Sequence, residues 1–534
     1  MPNKLFVSAA AGTMSLFCHG EYDRYQKSLD HPEIAQEKLL EKLVGDLSRT
    51  RYGREHGIIG TEDYREFTAK IPIQAYEDLE PWIERQLVSD APILTPHRIV
   101  HVEPTSGSSA PVKHIPYTRT LLRSFSDMFC IWAYDQLRYG FVSKTGRMFI
   151  SISPSSTSGG FGNDDEYVAE PLRSLVSAFL VTPPKSVSSD NFRHQLARTL
   201  LCEEELEVIS IWSPSYLLVL LAYIQANRNE LSDLLRNRRK SSLMADPICW
   251  QDIWPHLKLI SCWDSALAEP LANQIRASFP NVQVQGKGLL ATEAPITIPL
   301  INAKGCVPLV RNVFLEFESA DGTVKLLHEL TQGQRYQLII SQSAGLTRYR
   351  LNDVIEVVGT YRSTPLIKFI GRSSHVCDMT GEKLHEYFVR DSLTPLIPSG
   401  HFLLIPYQSD VSGYVLLVDY QQKELAERAD KALCQSHHYK YARFVGQLSQ
   451  LRVLLIPDLL SKVKTFQVLE GVKLGSIKDV SLITDQGQAR RLLTFLTDER
   501  CRYGLPQLAS SDQNIQAGQS DRRELPLPAG ALDF

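Results

Sequence analysis

The sequence predicts an α/β protein: a large N-terminal domain of layered β-sheets and helices, followed by a smaller C-terminal α+β domain. Three observations predict it. At 534 residues the chain exceeds what one hydrophobic core usually fills. Short apolar, β-branched runs alternate with amphipathic stretches through the first two thirds. After Gly371-Arg372 the composition changes, and a compact block of about 120 residues follows with its own strand and helix pattern. The expected boundaries are 1–372, 373–504 and a tail at 505–534, rich in Gln, Ala, Pro, Gly and Ser, that reads as disordered.

In chain order, Ile34, Leu39, Leu40, Leu43, Val44 and Leu47 recur at helical spacing, which predicts a helix over His31–Leu47. Residues 50–84 read as a helical cap on the first domain. Thr120–Tyr139 is a long amphipathic stretch and predicts a helix. Arg147–Ser153 reads as a buried strand, and Pro154–Asn163 as a loop. Ser213-Pro214 marks a helix start, with Ser as cap and Pro in the first turn. Strands are expected at Leu257–Ser261, Val282–Gln285, Val310–Phe317, Gln337–Ser341, Val354–Gly359 and Leu366–Ile370. The final block predicts strands at His401–Ile405, Tyr414–Asp419 and Leu451–Ile456, with a helix at Lys423–Gln435.

Composition excludes several classes. A net charge of −3 gives no global basic field for nucleic acid. The basic run Arg236–Lys240 reads as a solvated helix end or loop, where cations are favoured. Nine cysteines lie without a C-x-x-C pair, so zinc and dithiol redox chemistry are unsupported. Their dispersed, odd count fits reduced thiols in a cytoplasm. Met1–Ser15 lacks a secretory leader pattern. The longest apolar run, Tyr216–Ile224, is shorter than the ~20 residues a membrane span needs.

The densest chemical signal is Thr105-Ser106-Gly107-Ser108-Ser109-Ala110-Pro111-Val112-Lys113, after the apolar run Ile99–Val102. Hydroxyls and a glycine let N–H and O–H donors converge on a polyphosphate, with Lys113 supplying charge at the rim. A polar surface loop has the same composition. Four further candidates follow. Glu293, after Thr292, could hold a divalent cation against phosphate oxygens, or could simply face solvent. Asp353, at a strand mouth, could accept two ribose hydroxyls, with Arg350 offering its fork to phosphate; a structural ion pair or turn is the alternative. Gly371-Arg372 could be a hinge or a strand end. Lys478, in a C-terminal loop, could neutralise a transferring phosphate or sit at the surface.

In this order the five segments resemble the acyl acid amido synthetases of the auxin-responsive-promoter family, a branch of the adenylate-forming superfamily. Thr105–Ser109 is similar to the family's phosphate loop, though Ala110 replaces its second Gly and Val112 its Pro. Thr292-Glu293 is similar to the Ser/Thr-Glu motif. Tyr349–Asp353 resembles Y-R-x-G-D, with Asn352 in place of Gly. Phe369–Arg372 looks like the hinge, and Lys478 stands where the family has its C-terminal lysine.

The resemblance implies ATP and Mg²⁺ as cofactors, and an acyl-adenylate formed from a carboxylic acid and passed to an amine, usually of an amino acid. It implies that Thr105, Ser106, Gly107, Ser108, Ser109, Lys113, Thr292 and Asp353 bind nucleotide and that Glu293 holds the metal. Lys478, Arg372 and Arg350 would serve the phosphates. An acid pocket would lie among Phe125, Met128, Trp132, Trp212 and Tyr216, residues that equally suit ordinary core. A monomer without nucleic-acid partner or membrane span is expected. A coenzyme A or carrier-protein ligase, and a non-catalytic binding paralogue, are the competing readings.

Overall fold

The computed structural model describes residues 4–104, 113–150, 179–182, 192–266, 268–373, 375–397, 401–408, 412–420, 424–472 and 477–497. Thr105–Ser109, the loop expected at 154–163 and the tail 505–534 lie outside the described residues.

The chain opens with two helices, Lys4–Ser28 and Pro32–Leu47. The second was expected. The first was not, because its small residues (Ala9-Ala10-Ala11-Gly12) give no clear apolar stripe. It packs on the helix Arg119–Tyr139, where the Tyr22 hydroxyl donates to Asp135 at 3.4 Å. An antiparallel hairpin of β1 (Ile99–Pro104) and β2 (His114–Thr118) brackets the serine-rich loop.

A four-stranded parallel sheet follows, ordered β3 (Arg147–Ile150), β4 (Leu206–Ser210), β5 (Leu259–Ser261) and β6 (Gln283–Gln285). The helices Phe192–Cys202, Pro214–Ala226 and Ala268–Ser278 make crossovers. Parallel strands need such crossovers and are covered on their faces. Accordingly Leu200, Ile209, Leu217, Leu220, Ile260 and Phe279 share one core. The apolar run Tyr216–Ile224 lies within the helix Pro214–Ala226 of that core. The basic run sits at a helix end, as expected, at the N-terminal one. Asn237–Met244 is a helix whose first turn carries the cations, and Arg239 is held there by the carbonyls of Leu201 and Ile253.

After a small ribbon of β7 (Thr297–Leu300) and β8 (Gly305–Pro308), the chain builds a five-stranded antiparallel sheet. Its order is β10-β9-β11-β12-β13, from β9 (Phe314–Glu318), β10 (Val324–Leu326), β11 (Arg335–Ser341), β12 (Tyr349–Tyr361) and β13 (Thr364–Arg372). The N-terminal helices close over it, with Leu40, Val44, Phe314, Leu338 and Ile355 in a common core.

Residues 375–497 form an α+β unit. The ribbon β14 (Val376–Cys377) and β15 (Leu384–His385) precedes the sheet β16 (Phe402–Tyr407), β17 (Gly413–Val418) and β18 (Arg452–Leu455). The first sheet pair is antiparallel and the second parallel. Leu404, Leu416 and Ala429 pack one face, and Leu403, Leu417 and Leu492 the other. At the junction, a Cβ on Gly371 would come within 3.2 Å of Tyr387 Cβ, so close packing alone favours glycine there.

Candidate active site

The site is built on the β12–β13 register. Asp353 pairs directly with Arg372, and cross-strand partners put their side chains within reach of each other. Arg372 Nε lies 3.3 Å from Asp353 Oδ1. Just before Asp353, Asn352 adopts φ 65°, the left-handed region that Asn tolerates better than most residues. Glu293 reaches the same place from the loop after β6. The preceding residue is tied down by the Tyr117 hydroxyl, which donates to the Thr292 carbonyl at 2.6 Å. Tyr349 completes this side: its hydroxyl donates to Glu293 Oε1 at 3.4 Å and accepts from Lys113 Nζ at 3.0 Å.

Lys478 enters from the C-terminal unit and feels all three charged partners. Burial, then the neighbouring Arg372 guanidinium, pushes its ammonium down to about 8, while Asp353 and Glu293 act in the opposite sense. Both carboxyls are buried, and loss of hydration raises them above the usual carboxylate range. The Asp353 carboxylate, in turn, holds Arg372 above its ordinary value. Two acids and three cations from the β2 edge, the loop after β6, β12, β13 and the C-terminal unit thus share one electrostatic cluster. Such perturbed groups concentrate at functional sites.

Arg350 is not part of this cluster. It makes a forked ion pair with Glu318, with both Nη2 contacts at 2.8 Å. Arg348 is likewise structural: it is buried, pairs with fully buried Glu316 at 2.9 Å and donates to the Ile71 carbonyl. The alternative reading of a structural ion pair therefore fits both arginines, while Asp353 pairs with Arg372 inside the buried cluster. Tyr349, between them, has a role that the motif's spacing did not reveal.

The residues expected around the acid divide. Phe125 is buried and stacks on Tyr117 with ring centres 5.9 Å apart, and Met128 packs beside the same core. Tyr216 is core as well, and its buried hydroxyl has no hydrogen-bond partner among the described residues. Trp132 and Trp212 remain partly open, and the polar partners beside them, Gln285 and Ser210, end the parallel strands β6 and β4. Trp132 Nε1 donates to Gln285 Oε1 at 3.0 Å. Lys287 lies 5.1 Å from the centre of the Trp212 ring and donates to Ser210 Oγ at 2.7 Å. Ligands of parallel α/β sheets bind at such carboxyl ends.

Among the described residues no group of three or more His, Cys, Asp or Glu side chains could hold a metal by itself. That suits Mg²⁺, which takes one or two carboxylates and completes its shell with substrate oxygens and water. Glu293 could supply a carboxylate of that kind.

Comparison with known proteins identifies the family. Profiles of the GH3 family N-terminal domain and the GH3 family central domain match residues 21–253 and 306–372, more than half of the chain. Indole-3-acetic acid-amido synthetase GH3.4 of Arabidopsis thaliana is 25% identical over 427 residues, covering 67% of this chain and 70% of that protein. Jasmonoyl–L-amino acid synthetase JAR4 of Nicotiana attenuata is 23% identical over 414 residues, covering 65% and 70%. In fold, the chain superposes on AtGH3.15 acyl acid amido synthetase in complex with 2,4-DB with a TM-score of 0.73 at 16% identity, over 90% of this chain and 96% of that one. It also matches 2-hydroxyisobutyryl-CoA ligase in the postadenylation state, with a TM-score of 0.55 at 12% identity over 93% of each chain. With both family profiles matched over more than half of its length, the chain belongs to the GH3 family of acyl acid amido synthetases.

Proposed function

We propose that the protein uses ATP and Mg²⁺ to adenylate a carboxylic acid and then transfers the acyl group to the amine of an amino acid. The observation that carries this reading is the convergence of Glu293, Asp353, Arg372 and Lys478, which lie far apart in sequence, in one buried electrostatic cluster.

In the first step a carboxylate oxygen of the acid attacks the α-phosphorus of ATP. The bond to the bridging oxygen breaks, and pyrophosphate leaves. Arg372 and Lys478 neutralise charge that builds on the phosphates, a large effect in a water-poor cleft. Asp353 accepts the ribose hydroxyls, and Glu293 would hold Mg²⁺, which would supply positive charge beside the phosphates. Thr105–Ser109 with Lys113 cradle the outer phosphates. In the second step the amine attacks the acyl carbon, AMP leaves with the former carboxylate oxygen, and the amine's proton passes to solvent or a base. Trp132, Trp212 and Lys287 line the acid's side. Arg350, paired to Glu318, acts in neither step. The unit from 373 to 504 swings between steps, and the protein works as a cytoplasmic monomer.

The test is exchange of labelled pyrophosphate into ATP across a panel of acids, followed by mass spectrometry with amino acids or coenzyme A as acceptor. Acid-dependent exchange that is lost in Glu293→Ala and Asp353→Ala, with an amide product, supports the reading. A thioester product would favour the ligase alternative, and normal exchange in both variants would overturn the site.

A further inference from the structure

The residue after the C-terminal lysine is anchored across the two units in an unusual way. The helix Pro214–Ala226 begins at Ser213, which stands at its N-cap position with extended backbone but makes no side-chain capping bond. A serine there ordinarily turns its hydroxyl back to the N–H of the second or third helical residue. Here the Ser213 hydroxyl accepts from Ser215 and donates outward to Asp479 Oδ2 at 3.1 Å. The other oxygen, Asp479 Oδ1, meets Lys464 Nζ at 3.1 Å, and both of these side chains are about nine-tenths buried. The carboxylate also faces the positive end of a 13-residue helix, which favours an anion.

On its far side the same loop is fixed within the C-terminal unit. Glu386 Oε1 accepts from Ser481 N at 2.8 Å, while its other oxygen meets His375 Nδ1 at 2.9 Å, close to the junction after Arg372. Leu404 N donates to the Ser481 carbonyl at 2.8 Å, and Ile483 N to the Leu404 carbonyl at 2.9 Å. Residues 479–483 are thus rigid within their own unit. Their side-chain tie to the N-terminal unit is the Ser213–Asp479 bond, one residue from Lys478.

The geometry points to Asp479 and Ser213 as positioning residues for adenylation: their bond docks the Lys478 loop over the nucleotide, and its release frees the loop for the second step. This rests on the function proposed above. Lys464, on the same unit, is the fixed partner that keeps Asp479 aimed in both states. Ser213 is the releasable one, because its tie to Asp479 is a single hydroxyl bond across the two units, whereas Lys464 pairs with the same carboxylate from within the C-terminal unit.

The test compares Ser213→Ala and Ser213→Thr with the parent enzyme in three measurements. The first is pyrophosphate exchange with an acid from a panel of indole-3-acetate, jasmonate and benzoate. The second is aminolysis of chemically prepared indole-3-acetyl-AMP by an amino-acid mixture. The third is deuterium uptake of peptides covering 212–217 and 477–483, without substrates. In Ser213→Ala, exchange should fall about tenfold, the loss expected for a hydrogen bond to a charged group. Aminolysis should stay within about twofold, and both peptides should take up deuterium faster while the β16–β17 strands do not. Ser213→Thr, which keeps the hydroxyl, should restore all three. Equal loss of both half-reactions, or unchanged uptake with unchanged exchange, overturns the proposal. If no acid supports exchange, the adenylation reading fails, and the deuterium arm still decides whether the bond docks the loop.

Discussion

Lys478 gives the sharpest quantitative expectation. Burial and Arg372 lower its ammonium from the ordinary 10.5 to about 8. The charged form is the one that can stabilise a phosphate, so adenylation by the free enzyme should weaken as pH rises through about 8. One unit higher, about a tenth of the lysines remain charged, and kcat/KM for the exchange reaction should fall to about a tenth of its plateau. Docking of the loop should respond in the opposite sense. An undocked lysine keeps its ordinary value, so between about pH 8 and 10.5 the undocked state binds more protons, and docking strengthens as pH rises. The gap corresponds to about 3 kcal/mol opposing docking of the charged lysine below pH 8, which the phosphates of bound ATP offset. The kcat profile, which reports the substrate-bound enzyme, should therefore break at higher pH than kcat/KM. Lys478→Arg should abolish the alkaline limb, because a guanidinium stays charged. Arg372→Met should move the limb upward, since it removes a cation that lowers the lysine. A flat kcat/KM profile beyond pH 9.5, or an unchanged limb in Lys478→Arg, would refute the reasoning; the threshold is about one and a half units above the break.

Three further outcomes follow from side-chain placement. Arg350→Met should leave pyrophosphate exchange within about threefold of the parent and cost at most about 1 kcal/mol in a denaturant titration, because its pair with Glu318 is partly exposed. Tyr349→Phe removes the hydroxyl that links Lys113 to Glu293, so exchange should fall by about tenfold with little change in thermal stability. Tyr216→Phe should be neutral or stabilising by about 1 kcal/mol, because the buried hydroxyl it deletes has no hydrogen-bond partner among the described residues. A large loss of activity in that variant would instead return Tyr216 to the acid site.

The sequence carried most of the strands in 1–372 and 373–504, because apolar runs bounded by turn residues report burial directly. The helix Lys4–Ser28 escaped, since its alanines and glycine give no stripe even though Cys18 and Tyr25 are fully buried. Motifs located Glu293, Asp353, Arg372 and Lys478, but their meeting depends on the β12–β13 register and on a loop some hundred residues further along, which spacing alone does not encode. Within Thr347–Asp353 the difficulty is finer. Successive strand residues point to opposite faces, and a bulge against β11 shifts the count, so nothing in the letters tells Arg350 from Tyr349 as the residue that faces the cleft. Ser213 was legible as a helix start, yet the direction of its hydroxyl depends on Asp479, which is distant in sequence.

The central claim is that a carboxylate oxygen attacks the α-phosphorus within the Glu293–Asp353–Arg372–Lys478 cleft. It is tested most directly with an acid labelled by oxygen-18 in both carboxylate positions, under full turnover with ATP and an amino acid. The account predicts AMP carrying a single heavy oxygen and an amide retaining the other, with both products lost in Asp353→Ala. Heavy oxygen in inorganic phosphate alongside ADP, or AMP without the label, would contradict it.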